Sequence, residues 1–315
     1  MMTDVPLVTV IACCYNHERY VIECLDAIRD QTYPNIQLII MDDCSHDNSV
    51  PLIREWMITV NYDCIFVAHK TNQGLCMTLN EALVLAKGKY ISIISTDDIW
   101  MPDFIAQYVN VFENGSDDIG VVYGSSSEID EFGNYIQGKG CLFGEKPVGT
   151  VYLELLKTNF LMANAVLIRR DCFDNVGTYD ETLYFEDYDM WLRIARVYKF
   201  AYFPKILAIK RRHSASMSNT NRHEIMKSLS LVYLKQLESG YDIGDYKKIL
   251  NEKLTKYCET LYQINHPKAS KYLWMRYHKR KWKRDFLMWL LCVFGIQFND
   301  YERILFFLTK ISTKL

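Results

Sequence analysis

Three groups of acidic residues sit where an apolar run gives way to polar chain: Asp42 and Asp43 after "IQLIIM", Asp97 and Asp98 after "YISIIS", and Glu186, Asp187 and Asp189 in "YFEDYDMW". Adjacent carboxylates repel each other, so a strand ending on a pair predicts a cation or polar ligand that offsets the charge. The third group, set apart from the pairs, offers a carboxylate with the chemistry of a general base. Each group also has a plainer reading as turn or helix-capping residues, because Asp-Asp-x-Ser and an acidic first turn serve that purpose alone.

Placing these acids together requires elements that end together. Over the first 120 residues short β-branched runs alternate with helical patterns, which predicts β-α-β units around a mostly parallel sheet. "LVTVIAC", "IQLIIM", "CIFVA" and "YISIIS" read as strands. "RYVIECLDAIRDQ", "SVPLIREWM" and "LCMTLNEALVLAKG" read as helices, with Val21, Cys24, Leu25 and Ile28 on one face of the first and Gly88 closing the last. Open parallel sheets bind ligands beyond the carboxyl ends of their strands, and three such ends carry "CCYN", "MDDCS" and "STDD". From about residue 121 the order is less regular: a strand at "GVVYGSSSEI", a glycine-bearing segment to Gly149, a helix around "VYLELLKT" and a strand at "ANAVLIRR". A helix entered through the third acidic group follows, with Trp191, Leu192, Ile194 and Ala195 as its buried face. After Asn221 the chain becomes helical, aromatic and basic, which predicts a division into 1–220 and 221–315.

Half of the 315 residues are hydrophobic and the formal net charge is -2, which allows a full-sized core and supplies no global field for nucleic acid. The ten cysteines are scattered singly apart from Cys13 and Cys14, with no C-x-x-C pair, so they read as reduced thiols of a cytoplasmic protein. "MMTDVPLVTV" lacks the basic start and long apolar core of a signal peptide, and export by that route is not expected. No G-x-G-x-x-G follows the first strand and no G-x-x-x-x-G-K-[ST] occurs, which removes the main support for dinucleotide or P-loop binding.

Five segments occur in order: "VTVIACCYN", "LIIMDDCSHDNS", "NQGLCMTLNEALVLAKGKYISIISTDD", "YFEDYDMWLR" and "KRRHSASMS". Over about residues 6–218 the chain resembles the inverting family 2 glycosyltransferases with the GT-A fold. The resemblance implies an α/β, Rossmann-like, mostly parallel sheet flanked by helices. It also implies transfer of a sugar from a nucleotide-diphosphate donor, UDP favoured, with Mn2+ or Mg2+ as cofactor. By position in the motifs, Tyr15 and Asn16 lie at the nucleobase, Asp43 accepts a hydrogen from the base edge, and Asp97 faces the ribose or donor sugar. Asp98 is the leading metal ligand, His213 joins the metal or a phosphate, and Arg212 or Arg211 offers charge to the diphosphate. Asp187 is the expected general base, with Asp189 as the alternative and Glu186 beside them. The sequence departs from the family at Ser95, where many relatives carry an acid, and at Cys13 and Cys14, where relatives commonly have a proline before x-Tyr-Asn. The Q-x-x-R-W motif of processive members is absent, so addition of a single sugar is expected. The resemblance further implies a saccharide acceptor, lipid-linked and on the route to a bacterial surface glycan.

Two other readings compete. A sugar nucleotidyltransferase needs a glycine-rich loop after its first strand, and "ACCYNHERY" has no glycine. A catalytically silent subunit that binds a nucleotide-sugar or glycan is kept open by Ser95. Near the C-terminus, Arg276, Lys279, Arg280, Lys281, Lys283 and Arg284 interleave with Trp274, Tyr277 and Trp282 ahead of an apolar run from Phe286 to Ile296. That run is too short to span a bilayer; it suits a helix on an anionic membrane surface at the inner face of the cell membrane, or a helical appendage whose apolar stripe packs on the catalytic domain or on a second subunit of an oligomer.

Overall fold

The computed structural model describes residues 5–137, 146–241 and 244–301, apart from the side chains of 218 and 219. Residues 138–145 of the glycine-bearing segment and the last part of the C-terminal region lie outside the described residues. The chain divides into two compact units, Met1–Thr220 and Asn221–Leu315.

The first unit opens with β1 (Val8–Cys14), α1 (Val21–Arg29), β2 (Ile36–Asp42), α2 (Ser49–Val60), β3 (Cys64–Ala68), α3 (Leu75–Leu85) and β4 (Tyr90–Ser95). Every residue of β1 is buried, as are the last five of β2, because helices cover a parallel sheet on both faces. Helix α1 packs through Val21, Cys24, Leu25 and Ile28, the helical stripe legible in the sequence. Strands β3, β2, β1 and β4 lie side by side in parallel, with Cys13 opposite both Met41 and Ser95 and Asp42 opposite Ala68. The register brings the three polar strand ends to one edge.

The rest of the unit comprises β5 (Ile99–Trp100), α4 (Phe104–Glu113), β6 (Ile119–Ile129), α5 (Tyr152–Lys157), β7 (Val166–Arg169), α6 (Arg170–Val176), α7 (Asp187–Ile194), β8 (Lys199–Arg211) and α8 (Met217–Thr220). The sheet continues β4-β7-β6-β8-β5, with β7 antiparallel to both neighbours, β6 parallel to β8 and β5 antiparallel to β8. Two elements differ from the sequence expectation. The strand expected from Ala163 begins at Val166, since Ala163–Ala165 form a 3-10 turn, and the four-residue strand passes directly into α6. Strand β8 was not legible because Pro204 interrupts it; the register steps from Gly124 opposite Phe203 to Ser125 opposite Ile206, a bulge that leaves the proline out of the ladder.

The second unit is helical: α9 (Arg222–Glu238), α10 (Tyr246–Lys256), α11 (Cys258–Gln263), α12 (Ala269–Arg280) and α13 (Lys283–Val293). Val232, Leu250, Leu254, Leu261, Tyr272 and Leu273 are among its buried residues, and a buried ion pair joins Arg276 to Asp285 at 2.8 Å. No helix among the described residues is long and apolar enough to cross a membrane.

Candidate active site

At the end of β2 the carboxylates build loops. Asp42 accepts hydrogen bonds from the Ser45 amide (2.9 Å) and hydroxyl (2.5 Å), a turn in which Cys44 takes a φ of 67°. Asn16, also left-handed at φ 58°, donates its amide to Ser45 Oγ and accepts from the His46 amide, which ties the β1–α1 loop to the β2–α2 loop. Tyr15 beside it is exposed. Asp43 is buried and accepts from the amides of Gln73 (2.8 Å) and Gly74 (2.9 Å), so it fixes the turn into α3. His69 lies 3.0 Å from Asp43 Oδ1 through Nδ1 and 2.9 Å from Glu81 Oε2 through Nε2. Burial alone would depress this imidazole, but hydrogen bonds to the two carboxylates hold its pKa above the ordinary value.

Beyond the end of β4, in a turn that the Asp98 amide closes on the Ser95 carbonyl at 2.9 Å, the two aspartates diverge. Asp97 Oδ2 lies 2.9 Å from His213 Nε2 and 3.9 Å from His17 Nε2, and the three ligand atoms all fall within 4.8 Å of one another. Burial pushes the Asp97 carboxyl up, yet the hydrogen bond to His213 and the proximity of His17 hold it well below the usual carboxylate range. Its Oδ1 is buried without a hydrogen-bond partner among the described residues, an oxygen that a cation would satisfy. Asp98 turns the other way: its Oδ1 accepts from the Arg211 amide at 2.9 Å, and burial together with the Asp97 charge raises its pKa well above the ordinary value. The geometry therefore brings Asp97, not Asp98, to His213.

The arginines expected at a diphosphate are engaged by acids. Arg211 is buried, pairs with Glu23 at 2.5 Å, donates to the Asp97 carbonyl and lies over the Tyr20 ring. Arg212 makes a two-pronged pair with Glu128 at 2.9 and 2.6 Å.

The third group divides by role. Asp189 is buried and pairs with Arg193 at 2.8 Å, and Arg193 also donates to the carbonyls of Val176, Gly177 and Thr178; this acid anchors α7 to the segment after α6. Asp187, partly buried at the start of α7, accepts from the Asn159 side chain at 3.3 Å and the Tyr188 amide at 2.6 Å. Loss of water around it raises its pKa, and burial plus the Asp187 charge pushes Glu186 up to about 8. Glu186 and Asp43 both lie within electrostatic reach of Cys13 near the end of β1, and Lys210 lies within reach of Asp98, Glu186 and Asp187. These groups thus share one electrostatic neighbourhood beyond the strand ends.

Sequence reasoning missed His17, His69, Asn159 and Lys210. A signal existed only for His17, which follows "CCYN" directly at a strand end; the others owe their placement to strand pairing and loop closure.

Comparison with known proteins gives the family and agrees with the fold. The sequence model described as Glycosyl transferase family 2 matches residues 9–177. An uncharacterized glycosyltransferase of Rickettsia felis is 31% identical over 241 residues, covering 74% of this chain, which spans about two-fifths (39%) of that relative's length. Among solved structures, S. aureus TarS 1-349 in complex with UDP-GlcNAc superposes with a TM-score of 0.62 at 16% identity, over 91% of this chain and 79% of that one. The mannosyltransferase PcManGT from Pyrobaculum calidifontis, in complex with GDP-Man and Mn2+, also gives 0.62, at 18% identity over 94% and 88%. With the fold, the ordered strand ends and a family match across more than half its length, the chain belongs to glycosyl transferase family 2.

Proposed function

We propose that this protein is an inverting glycosyltransferase that adds a single sugar from a nucleoside-diphosphate sugar, UDP-linked by preference, to a saccharide acceptor. Residues 1–220 form its catalytic domain in this reading. The observation that carries it is the meeting of Asp97 with His213 across 116 residues of sequence, beside strand ends that carry Tyr15, Asn16 and Asp43. The solved relatives crystallised with UDP-GlcNAc and with GDP-Man support a nucleotide-sugar donor but point to different bases. Uracil, thymine and guanine all offer an edge N–H that Asp43 would accept beside its bonds to Gln73 and Gly74, so the preference for UDP rests on the family resemblance.

The donor's diphosphate departs with the electron pair of its bond to the anomeric carbon, so the site must tolerate charge that grows as that bond breaks. Asp97 and His213 would hold a divalent cation, Mn2+ or Mg2+, which when bound supplies positive charge to that leaving group. On the opposite side Asp187 takes the proton of the acceptor hydroxyl while its oxygen bonds to the anomeric carbon, a single displacement that inverts configuration. Asn159 orients the Asp187 carboxylate. Asp189, committed to Arg193, is the weaker candidate for this step. Glu186, with its pKa pushed up to about 8, keeps a proton at neutral pH and limits the negative charge around the base.

A lipid-linked acceptor of a bacterial surface glycan, met at the inner face of the membrane, suits the C-terminal unit. There Lys279, Arg280, Lys281 and Lys283 are exposed around Trp282, and Phe286, Val293 and Phe294 are exposed along α13 and at its end.

The test is release of nucleoside diphosphate from a panel of UDP-, GDP- and dTDP-sugars, comparing the native protein with Asp187→Asn. The variant should lose about 10²- to 10⁴-fold in rate while still binding the nucleotide. Undiminished turnover would overturn the assignment of the base, and no turnover by the native protein with any donor would favour a silent binding subunit.

A further inference from the structure

We propose that His17 is a third protein ligand of the cation site, so that the ion is held by a His-Asp-His set in place of the second carboxylate that Ser95 does not provide. This rests on Asp97 and His213 as the other ligands. An ion with bonds of about 2.1 Å spaces its ligand atoms about 3 to 4.2 Å apart. The two imidazole contacts to Asp97 Oδ2, at 2.9 and 3.9 Å, match that spacing closely, and all three ligand atoms lie within 4.8 Å of one another, so the two imidazoles need close by no more than about 0.6 Å to share an ion. The 3.9 Å separation is too long for a hydrogen bond and short enough for ligands sharing one ion.

The surroundings of His17 are those of a ligand rather than a packed core histidine. Its Nδ1 lies 2.9 Å from Thr96 Oγ1, and its own amide donates to Ser49 Oγ at 2.9 Å. The contact to Thr96 Oγ1 fits the tautomer that carries its proton on Nδ1 and leaves the Nε2 lone pair for an ion, as outer hydrogen bonds do for metal-binding imidazoles. The His17 and His213 rings stand perpendicular at 6.0 Å, and Tyr20 packs against His213 at 5.2 Å, which restrains both. Asp97 Oδ1, buried and without a hydrogen-bond partner, adds a further donor on the same carboxylate.

Two imidazoles and one carboxylate are a borderline set. They favour Mn2+, Co2+ or Zn2+ over Mg2+, which prefers oxygen ligands, and they leave the bound ion one positive charge richer than a two-carboxylate site would. The site would thus be selective for transition metals, with more charge directed at the diphosphate.

Mn2+ binding followed by electron paramagnetic resonance, with Mg2+ as competitor and without donor turnover, tests this in the full chain. We expect the native protein to bind Mn2+ in preference to Mg2+, and His17→Gln to weaken Mn2+ binding at least about tenfold. Thr96→Val should weaken it by a similar factor through His17, and His17→Asp should restore binding while shifting preference toward Mg2+. Thermal unfolding of each variant without metal shows whether it folds, and Thr96→Val and His17→Asp carry the test if His17→Gln does not. Unchanged Mn2+ affinity in folded His17→Gln, with binding lost in His213→Gln, would overturn the proposal while leaving the Asp97–His213 site standing. No Mn2+ uptake by the native protein, with or without UDP, would overturn both.

Discussion

The acids legible in the sequence separate, once folded, by what else touches them. Asp189 and Asp187 are two residues apart, yet one is locked to Arg193 and the other accepts from an asparagine side chain and a backbone amide. No sequence pattern distinguishes them, because Arg193 and Asn159 come from opposite directions along the chain. Asp97 and Asp98 divide at the turn after β4, and which of them meets His213 depends on where β8 delivers that histidine. Glu186 provides a prediction at this scale. Its pKa is pushed up to about 8 in the folded protein, against 4.5 ordinarily, so between those values the folded state keeps a proton that the unfolded chain has released. The stability tied to that proton is full at low pH and is lost as pH rises through the folded value. The unfolding midpoint of the native protein relative to Glu186→Gln should therefore fall from about pH 5 to about pH 8. A difference that stays flat, or rises, across that range contradicts the environment assigned to Glu186.

Among elements, the first four strands and the helices between them were readable because the strands are short apolar runs, buried throughout in β1 and for most of β2 and β4, and the helices are striped on one face. The second half was harder: β7 has only four residues, β8 crosses a proline bulge, and α6 starts where a strand stops. Register is what turns these elements into a site, and it depends on close approaches that composition does not reveal. At Gly88, between α3 and β4, an added Cβ would lie 2.4 Å from the Thr9 amide nitrogen and 2.6 Å from the Tyr90 carbonyl oxygen, both backbone atoms that cannot step aside. Thr9 Oγ1 also accepts the Gly88 amide at 2.8 Å. Gly88→Ala should destabilise the protein by about 1 to 3 kcal/mol and lower the denaturation midpoint accordingly. An unchanged midpoint would mean that β1 and β4 are not held in this register.

For the molecule as a whole, a net charge of -2 hides a local concentration of positive charge at the α12–α13 corner. Lys281 sits there with φ 57°, and Lys279, Arg280 and Lys283 surround Trp282, which is 56% exposed. This feature was visible in the sequence as basic residues interleaved with aromatics; that α12 ends at Arg280 and α13 starts afresh at Lys283 was not. Co-sedimentation with vesicles holding about 30% phosphatidylserine should capture the protein, with capture falling as salt rises and in a Lys279→Glu, Lys281→Glu, Lys283→Glu variant. Equal capture by neutral vesicles, or none by anionic ones, would contradict a membrane-facing role and leave a protein partner for this corner.

Thermal unfolding with UDP, GDP, dTDP or CDP, each with Mn2+ or with EDTA, in the native protein and in Asp97→Asn, tests the donor site most directly. A ligand that binds only the folded state adds about 2.7 kcal/mol at a hundredfold excess over its Kd. The midpoint should rise with one nucleotide, UDP in this reading, only when Mn2+ is present, and the rise should vanish in Asp97→Asn. A rise that persists in EDTA or in Asp97→Asn would contradict the cation site, and no rise with any nucleotide would contradict the donor site itself.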